Sequence, residues 1–356
     1  MTSPDPRGQT VTYAIPNDSE LIAAPGPGAH GGETPPPREA DAIAQIAMMI
    51  EQRVAGAVAA NHGRARRDAH PKSHGCVRAV FRVLDDLPAE LRVGLFAEPR
   101  AYQAWIRFSN GSGTPRPDAK GDGRGMAVKL MGVAGARSTT QDFIMINSPT
   151  FFVKDAVDYV DFQRAGDNLV AFFLPGWNPL RLRWRELWNA LSITLRKVSN
   201  PLNIRYWSVA PYLFGEVACK YSARPAGPPS AFVDTATPNF LADNLRRQLE
   251  AGDAAFDFMI QLRTRPGAMP IEDARIAWSE TDAPFTPVAR IEIPRQAVTP
   301  PDQDEFGEAL SFTPWHGLDA HRPLGGISRA RRTVYEAVSR LRHELNGEAR
   351  QEPHVG

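Results

Sequence analysis

Residues Arg67–Cys76, RDAHPKSHGC, constrain this chain more than any other stretch. Pro71 follows His70 directly and pushes it toward extended geometry, which argues against the middle of a helix. Next comes VRAVFRVL, an alternating apolar run with the period of a β-strand. A histidine therefore stands at the mouth of a strand, with Arg67 three residues ahead of it. Such an imidazole can serve as acid, base or ligand, and the guanidinium can hold an anionic group. His70 and His74 are four apart, the spacing of a helical metal pair, but Pro71 opposes the helix and no HExxH glutamate lies between them. On its own the stretch reads as polar loop histidines.

Ahead of it, residues 1–38 are rich in Pro, Gly and small polar residues and read as a mobile arm. From Ala40 the pattern changes: Ile43, Ile46, Ile50, Val54 and Val58 fall at helical spacing, with Gly63 as the stop. This helix delivers the chain to Arg67 and His70. After the first strand, DDLPAELRVGLFAEPRAY reads as a turn plus a short helix, and AWIRFSNGSG as a second strand. Arg107 and Ser109 share one face of that strand. Charge on a strand face ordinarily means a solvated face. Here both faces are mostly apolar, and a desolvated arginine needs an anion.

GDGRGMAVKL places a glycine-rich turn before another strand; it is neither GxGxxG nor a phosphate loop, and no helix follows the glycines. In QDFIMINSPTFFVKD a strand runs into a turn that presents the Asn147 amide beside Phe151 and Phe152. LFGEVACKYSARP, FDFMIQLRTRP and the segment leading to ARIEI read as further strands.

Composition narrows the function classes. The chain has 356 residues, 42% of them apolar and 23% charged, which is ordinary for a soluble globular protein. A net charge of +1 gives no basic field for nucleic acid. The two cysteines, Cys76 and Cys219, make no disulfide framework; each reads as a small core residue, and a reducing cytoplasm is expected. No apolar run reaches the ~18 residues of a membrane span, and no secretory signal is apparent.

RDAHPKS, WIRFSNGSG, GDGRGMAVKL and DFIMINSPTFFVKD, in that order, resemble the core of the haem catalases. That family runs from Arg-x-x-His, through an Arg-Phe-Ser strand and an Arg-Gly-x-Ala-Val-Lys strand, to an Asn-x-Pro-x-Phe-Phe turn. At the far end, HRPLGGISRARRTVYEAVSRLRHEL places Arg331 four residues before Tyr335, with Arg342 beyond, as the family places its proximal tyrosine and its arginines. GEALSFTPWHGLDAHRPLGGI resembles the lead-in to that helix, so the resemblance covers most of residues 60–345.

The resemblance implies one α+β domain over residues 39–350, followed by a tail at 351–356. Its fold would be an antiparallel β-barrel of the haem catalase type with surrounding helices, lacking the large-catalase C-terminal domain. It also implies haem b with Tyr335 on the iron and Arg331 favouring the phenolate. Arg67, Arg107 and Arg342 would hold the propionates, and Tyr159 would stack near the haem, where the family usually has phenylalanine. His70 would shuttle the peroxide proton in forming an oxo-ferryl state, Asn147 would orient the peroxide, and Ser109 would set the His70 tautomer. Ala69 cannot hydrogen-bond the imidazole, and His74 reads as structural. No nicotinamide nucleotide is expected, and an oligomer of identical chains is.

Three functions follow: hydrogen peroxide disproportionation, peroxidase or organic-hydroperoxide chemistry on the same haem, and haem binding without turnover. Retention of both His70 and Asn147 speaks against the third, since binding alone needs only Tyr335 and the arginines.

Residues 175–200, PGWNPLRLRWRELWNALSITLRKVSN, stand apart. Leu180, Trp184, Leu187, Trp188, Leu191, Leu195 and Val198 form a helical stripe, with Arg181, Arg185, Arg196 and Lys197 off it. The expected arrangement is a helix packed on the barrel through that stripe. The sharper alternative is peripheral contact with anionic lipid, which would favour lipid hydroperoxides as substrates.

Overall fold

The computed structural model describes residues 2–4, 10–12, 32–58, 63–136, 138–166, 168–298 and 302–347. Two compact units are present, Met1–His30 and Gly31–Gly356. In the first, β1 (Thr2–Pro4) pairs antiparallel with β2 (Thr10–Thr12). The rest of the expected 1–38 arm lies largely outside the described residues, and the 351–356 tail lies wholly outside them.

The larger unit begins with α1 (Glu39–Gly56), which buries Ile46, Ile50 and Val54 and ends at Gly56 instead of Gly63. Four strands follow: β3 (Ser73–Val83), β4 (Ala101–Asn110), β5 (Arg124–Met131) and β6 (Thr140–Ile146). Between β3 and β4 the expected short helix is two 3-10 turns, Ala89–Leu91 and Gly94–Phe96. Helices α2 (Ala156–Ala165), α3 (Leu169–Phe173) and α4 (Trp184–Thr194) come next. The chain then returns to strands β7 (Tyr206–Trp207), β8 (Tyr212–Phe214) and β9 (Val217–Pro225). Helix α5 (Phe240–Ala251), strands β10 (Ala254–Leu262) and β11 (Thr286–Ile293), and helices α6 (Asp302–Ala309) and α7 (Gly326–Asn346) complete it.

The strands pair antiparallel in the order β10-β11-β3-β4-β5-β6-β7-β9, and β9 pairs back onto β10. Eight strands therefore close an antiparallel barrel, with β8 added as a hairpin on β9. Closure leaves the ring without an open edge, and every strand has an inner and an outer row. On β3, Val77, Ala79, Phe81 and Val83 point inward and are buried. They meet Phe143, Tyr221 and Phe258, whose rings lie 4.6–5.4 Å apart, centroid to centroid. Both cysteines are buried, as small core residues should be. No helix among the described residues is long and apolar enough to cross a membrane.

One expectation reverses. Helix α4 does not pack through its apolar stripe: Glu186, Asn189 and Ile193 are the residues it buries, while Trp184 and Trp188 are 70% and 72% exposed. The inner face is held by polar bonds. Glu186 pairs with Arg275 at 2.5 Å, and the Asn189 amide donates to the carbonyls of Phe151 and Arg275. Those partners lie on distant segments, and they decide which face turns inward.

Candidate active site

His70 sits just before β3 in a left-handed backbone conformation, φ 62°, which a non-glycine residue adopts at some cost. Two hydrogen bonds keep it there. Its N–H donates to the Gly111 carbonyl, and its own carbonyl accepts from Arg107 Nη1 at 3.0 Å. The ring is fixed as well, with Nδ1 2.9 Å from Ser109 Oγ. Behind it lies Gly125 of β5, where a β-carbon would come within 2.7 Å of ring atoms Cε1 and Nδ1. Glycine at 125 is what lets the imidazole seat against the sheet.

The barrel's register brings in the next group. Ser109 pairs with Gly125, and Gly125 pairs with Ile146, so the three lie in one row across β4, β5 and β6. Asn147 follows Ile146 and is tied to Arg124 twice, through backbone and side chain: its N–H donates to the Arg124 carbonyl, and its Oδ1 accepts from Arg124 N at 2.8 Å. That use of Oδ1 leaves the amide Nδ2 buried with no protein partner. Such an orphan donor is costly unless something else accepts from it.

His74 belongs elsewhere. A bulge in β3 between Ser73 and Gly75 sets it off, and its Nε2 bonds Asn110 Oδ1 at 2.8 Å in a buried network with Asp118 and Arg124. His70 reaches Ser109 and His74 reaches Asn110; neighbours on a strand face opposite ways, so the two imidazoles do not form a metal pair. No cluster of three His, Cys, Asp or Glu suited to a metal occurs among the described residues.

The arginines meet on one carboxylate that the sequence reading did not single out. Glu308 of α6 lies 2.5 Å from Arg67 Nη1, 2.7 Å from Arg107 Nη2 and 3.5 Å from Arg342 Nη1. Gly307 lets α6 come this close, since a β-carbon there would stand 2.8 Å from Cys76 Cβ. Burial opposes charge on Glu308, but the three guanidiniums prevail and hold its carboxyl at about 2. Burial and the neighbouring Arg107 and Arg342 bring Arg67 down to about 9, against the pull of Glu308.

On α7, Arg331 and Tyr335 are one turn apart and therefore share a face. That face looks toward the His70 side. Burial lowers the His70 ring to about 3, and the positive charges of Arg107, Arg331 and Arg67 reinforce it. Arg331 Nη1 is itself buried without a hydrogen-bond partner. Tyr335 is also close enough to act on the phenols of Tyr159 and Tyr212. Burial, more than any charge, carries Tyr159 up to about 12. Its ring stacks on Phe162 at 5.8 Å and lies 6.2 Å from Phe151.

The structure thus brings His70, Ser109 and Asn147 together around Gly125, and gathers Arg67, Arg107 and Arg342 on Glu308, while Tyr335 keeps company with Tyr159 and Tyr212. Residues 57–171, which contain His70, Arg107, Ser109, Gly125, Asn147 and Tyr159, match the catalase family model.

Over those residues the chain is similar to the catalases. Catalase A from Saccharomyces cerevisiae superposes with a TM-score of 0.64 at 16% identity, covering 98% of this chain and 72% of the yeast one. A fungal catalase gives 0.63 at 16% identity, over 94% of this chain and 70% of its own. A bacterial catalase gives 0.60 at 17% identity, over 98% and 71%. At these identities the superpositions speak for the catalase fold, and this chain spans 70–72% of the length of those proteins.

Proposed function

We propose that the protein is a haem-dependent hydroperoxidase that decomposes hydrogen peroxide to water and oxygen. The observation that carries this reading is the His70–Ser109 pair seated against Gly125, beside the unpartnered Asn147 amide.

The donor set suits a haem. Arg67, Arg107 and Arg342 gather at Glu308, and guanidinium forks of this kind suit the two propionates that a haem brings. Buried Arg107 Nε and Arg331 Nη1 have no hydrogen-bond partner in the protein. Tyr335 would hold the iron through its phenol oxygen, the ligand type that catalases use. When bound, the haem supplies the iron at which the peroxide O–O bond is cleaved.

The protein's own residues handle the proton. Burial keeps His70 neutral at working pH, so with Nδ1–H donated to Ser109 the lone pair of Nε2 is free to accept. There it would accept a proton from one oxygen of the peroxide, hold it at Nε2 and give it to the other. Asn147 Nδ2 donates to the peroxide and sets its orientation; the same bond ends the orphan state of that group. Tyr159, held neutral by burial, lines the region as an aromatic wall.

A second substrate class has its own support. The turn after Asn147 leads into a packed cluster of aromatic side chains, Phe151, Phe152, Tyr159, Phe162, Phe172 and Phe173, an apolar neighbourhood more congenial to an alkyl chain than to hydrogen peroxide. Organic or lipid hydroperoxides are therefore the alternative substrates. The test is oxygen evolved per hydrogen peroxide consumed by haem-loaded protein without added reductant. One oxygen for two peroxides at a sustained rate supports the first class; consumption only with a reductant or an organic hydroperoxide moves the assignment to the second. Failure to take up haem ends both. The protein is further proposed to work as an oligomer of identical chains in the cytoplasm.

A further inference from the structure

Helix α4 carries its apolar residues on the outside. Trp184 and Trp188 are 70% and 72% exposed, Leu191 is 40%, and the stripe continues through Leu195 at 72%. The preceding turns add Trp177 at 74% and Leu180 at 93%. An exposed patch of three tryptophans and three leucines is not a surface that water alone would favour. Nor is it a loosely placed helix: Glu186 and Asn189 lock the opposite side through Arg275 and the Phe151 carbonyl.

The charge on this face has one sign. Arg181, Arg185 and Lys197 are exposed and make no ion pair among the described residues. The nearby acids are already taken: Glu186 by Arg275, and Asp158 and Asp161 by Arg183. Two copies meeting across a two-fold axis would set these cations against each other. An anionic lipid surface accepts both components, with headgroups for the cations and the acyl boundary for the indoles.

The helix is also wired to the reactive region. Just past its end, Arg196 Nη1 donates to the Asn147 carbonyl at 2.8 Å. Asn189 holds the Phe151 carbonyl, and Gly121 passes so close that a β-carbon there would lie 2.4 Å from the Thr194 oxygen.

We propose that the outer face of residues 177–197 is an interfacial docking surface for membranes containing anionic phospholipid, and that it brings peroxidised acyl chains to the aromatic wall beside Asn147. The second clause rests on the hydroperoxidase reading above; the docking itself does not, because it needs neither haem nor turnover.

The experiment is co-sedimentation of the full-length protein with sucrose-loaded vesicles of about two parts phosphatidylcholine to one part phosphatidylglycerol, against phosphatidylcholine alone. Binding to the anionic vesicles at low salt, weakened by salt and by loss of phosphatidylglycerol, is expected. Trp184→Ser with Trp188→Ser, and separately Arg181→Glu with Arg185→Glu, should each weaken partitioning about tenfold or more. Both should keep the wild-type circular dichroism and hydrogen peroxide turnover. Absence of wild-type binding at low salt overturns the proposal. So does equal binding of wild type and variants. If the tryptophan variant instead lowers the molar mass in light scattering while vesicle binding is absent, the face joins copies of this chain and the proposal is likewise overturned. Docking without any peroxide chemistry would leave the surface standing and remove only the hydroperoxidase reading.

Discussion

The imidazole of His70 lies against the backbone of Gly125 so closely that a β-carbon there would stand 2.7 Å from Cε1 and Nδ1, and 2.9 Å from Ser109 Oγ. Gly125→Ala therefore has to displace the ring, the serine or the strand. Overpacking of this kind costs ~1–3 kcal/mol. The loss of proton transfer should be larger, on the order of 10²–10⁴ in turnover. Haem binding, followed by Soret titration, should survive, since Gly125 is not among the arginines or Tyr335. Full activity in Gly125→Ala would mean that His70 does not work from the position in which it is seated.

His70→Ala tests the same ring without changing the strand. It should bind haem and lose nearly all turnover. The wild-type pH profile gives a second reading. Burial first, and then Arg107, Arg331 and Arg67, lower the ring from 6.5 to about 3. Below about pH 6.5 the unfolded chain takes up a proton that the folded one refuses, so this site's contribution to stability is complete above that pH and is lost as the pH falls toward 3. Activity should accordingly show no acid limb near pH 6.5. An acid limb there in the wild-type profile would show a solvated, ordinary imidazole.

Much of this was legible in the sequence because strands declare themselves by their period. Alternation in VRAVFRVL and AWIRFSN survives as β3 and β4, and the same alternation puts Arg107 and Ser109 on one face. The Arg331–Tyr335 spacing survives because one helical turn fixes it. Helix α4 was read the wrong way round. Its apolar stripe implied burial, whereas Arg275 and the Phe151 carbonyl, far off in sequence, give the polar side its partners. Glu308 was missed for a related reason: it stands some two hundred residues from Arg107, with |i−j| of 201, and nothing local marks a glutamate that three arginines will share. The only hint was Arg107 itself, a desolvated cation in want of an anion.

Glu308→Gln keeps the shape of that centre and removes its charge. The cofactor-free protein should lose ~1–3 kcal/mol near neutral pH, the range for hydrogen bonds to charged groups. The sign of the pH effect follows from a carboxyl lowered from 4.5 to about 2 by the three arginines against its own burial. Its contribution is present above about pH 4.5 and is lost as the pH falls toward 2. Urea unfolding of both proteins should therefore show a gap that narrows on acidification. A constant gap would place the effect in packing of α6 and not in the ion cluster.

Tyr335→Phe isolates the axial position. The substitution leaves the aromatic ring in α7 and removes the one oxygen offered to the iron, so the volume facing Tyr159 and Tyr212 hardly changes. Haem uptake should weaken without vanishing, because the substitution leaves Arg67, Arg107 and Arg342, the residues proposed to hold the propionates, unchanged. The phenolate-to-iron charge-transfer absorption of the ferric protein should disappear, and the stability of the cofactor-free chain should move by less than ~1 kcal/mol. These two readouts separate ligation from packing. A ferric spectrum that does not change in Tyr335→Phe would assign the iron to another ligand, and a large fall in cofactor-free stability would mark Tyr335 as a packing residue of α7.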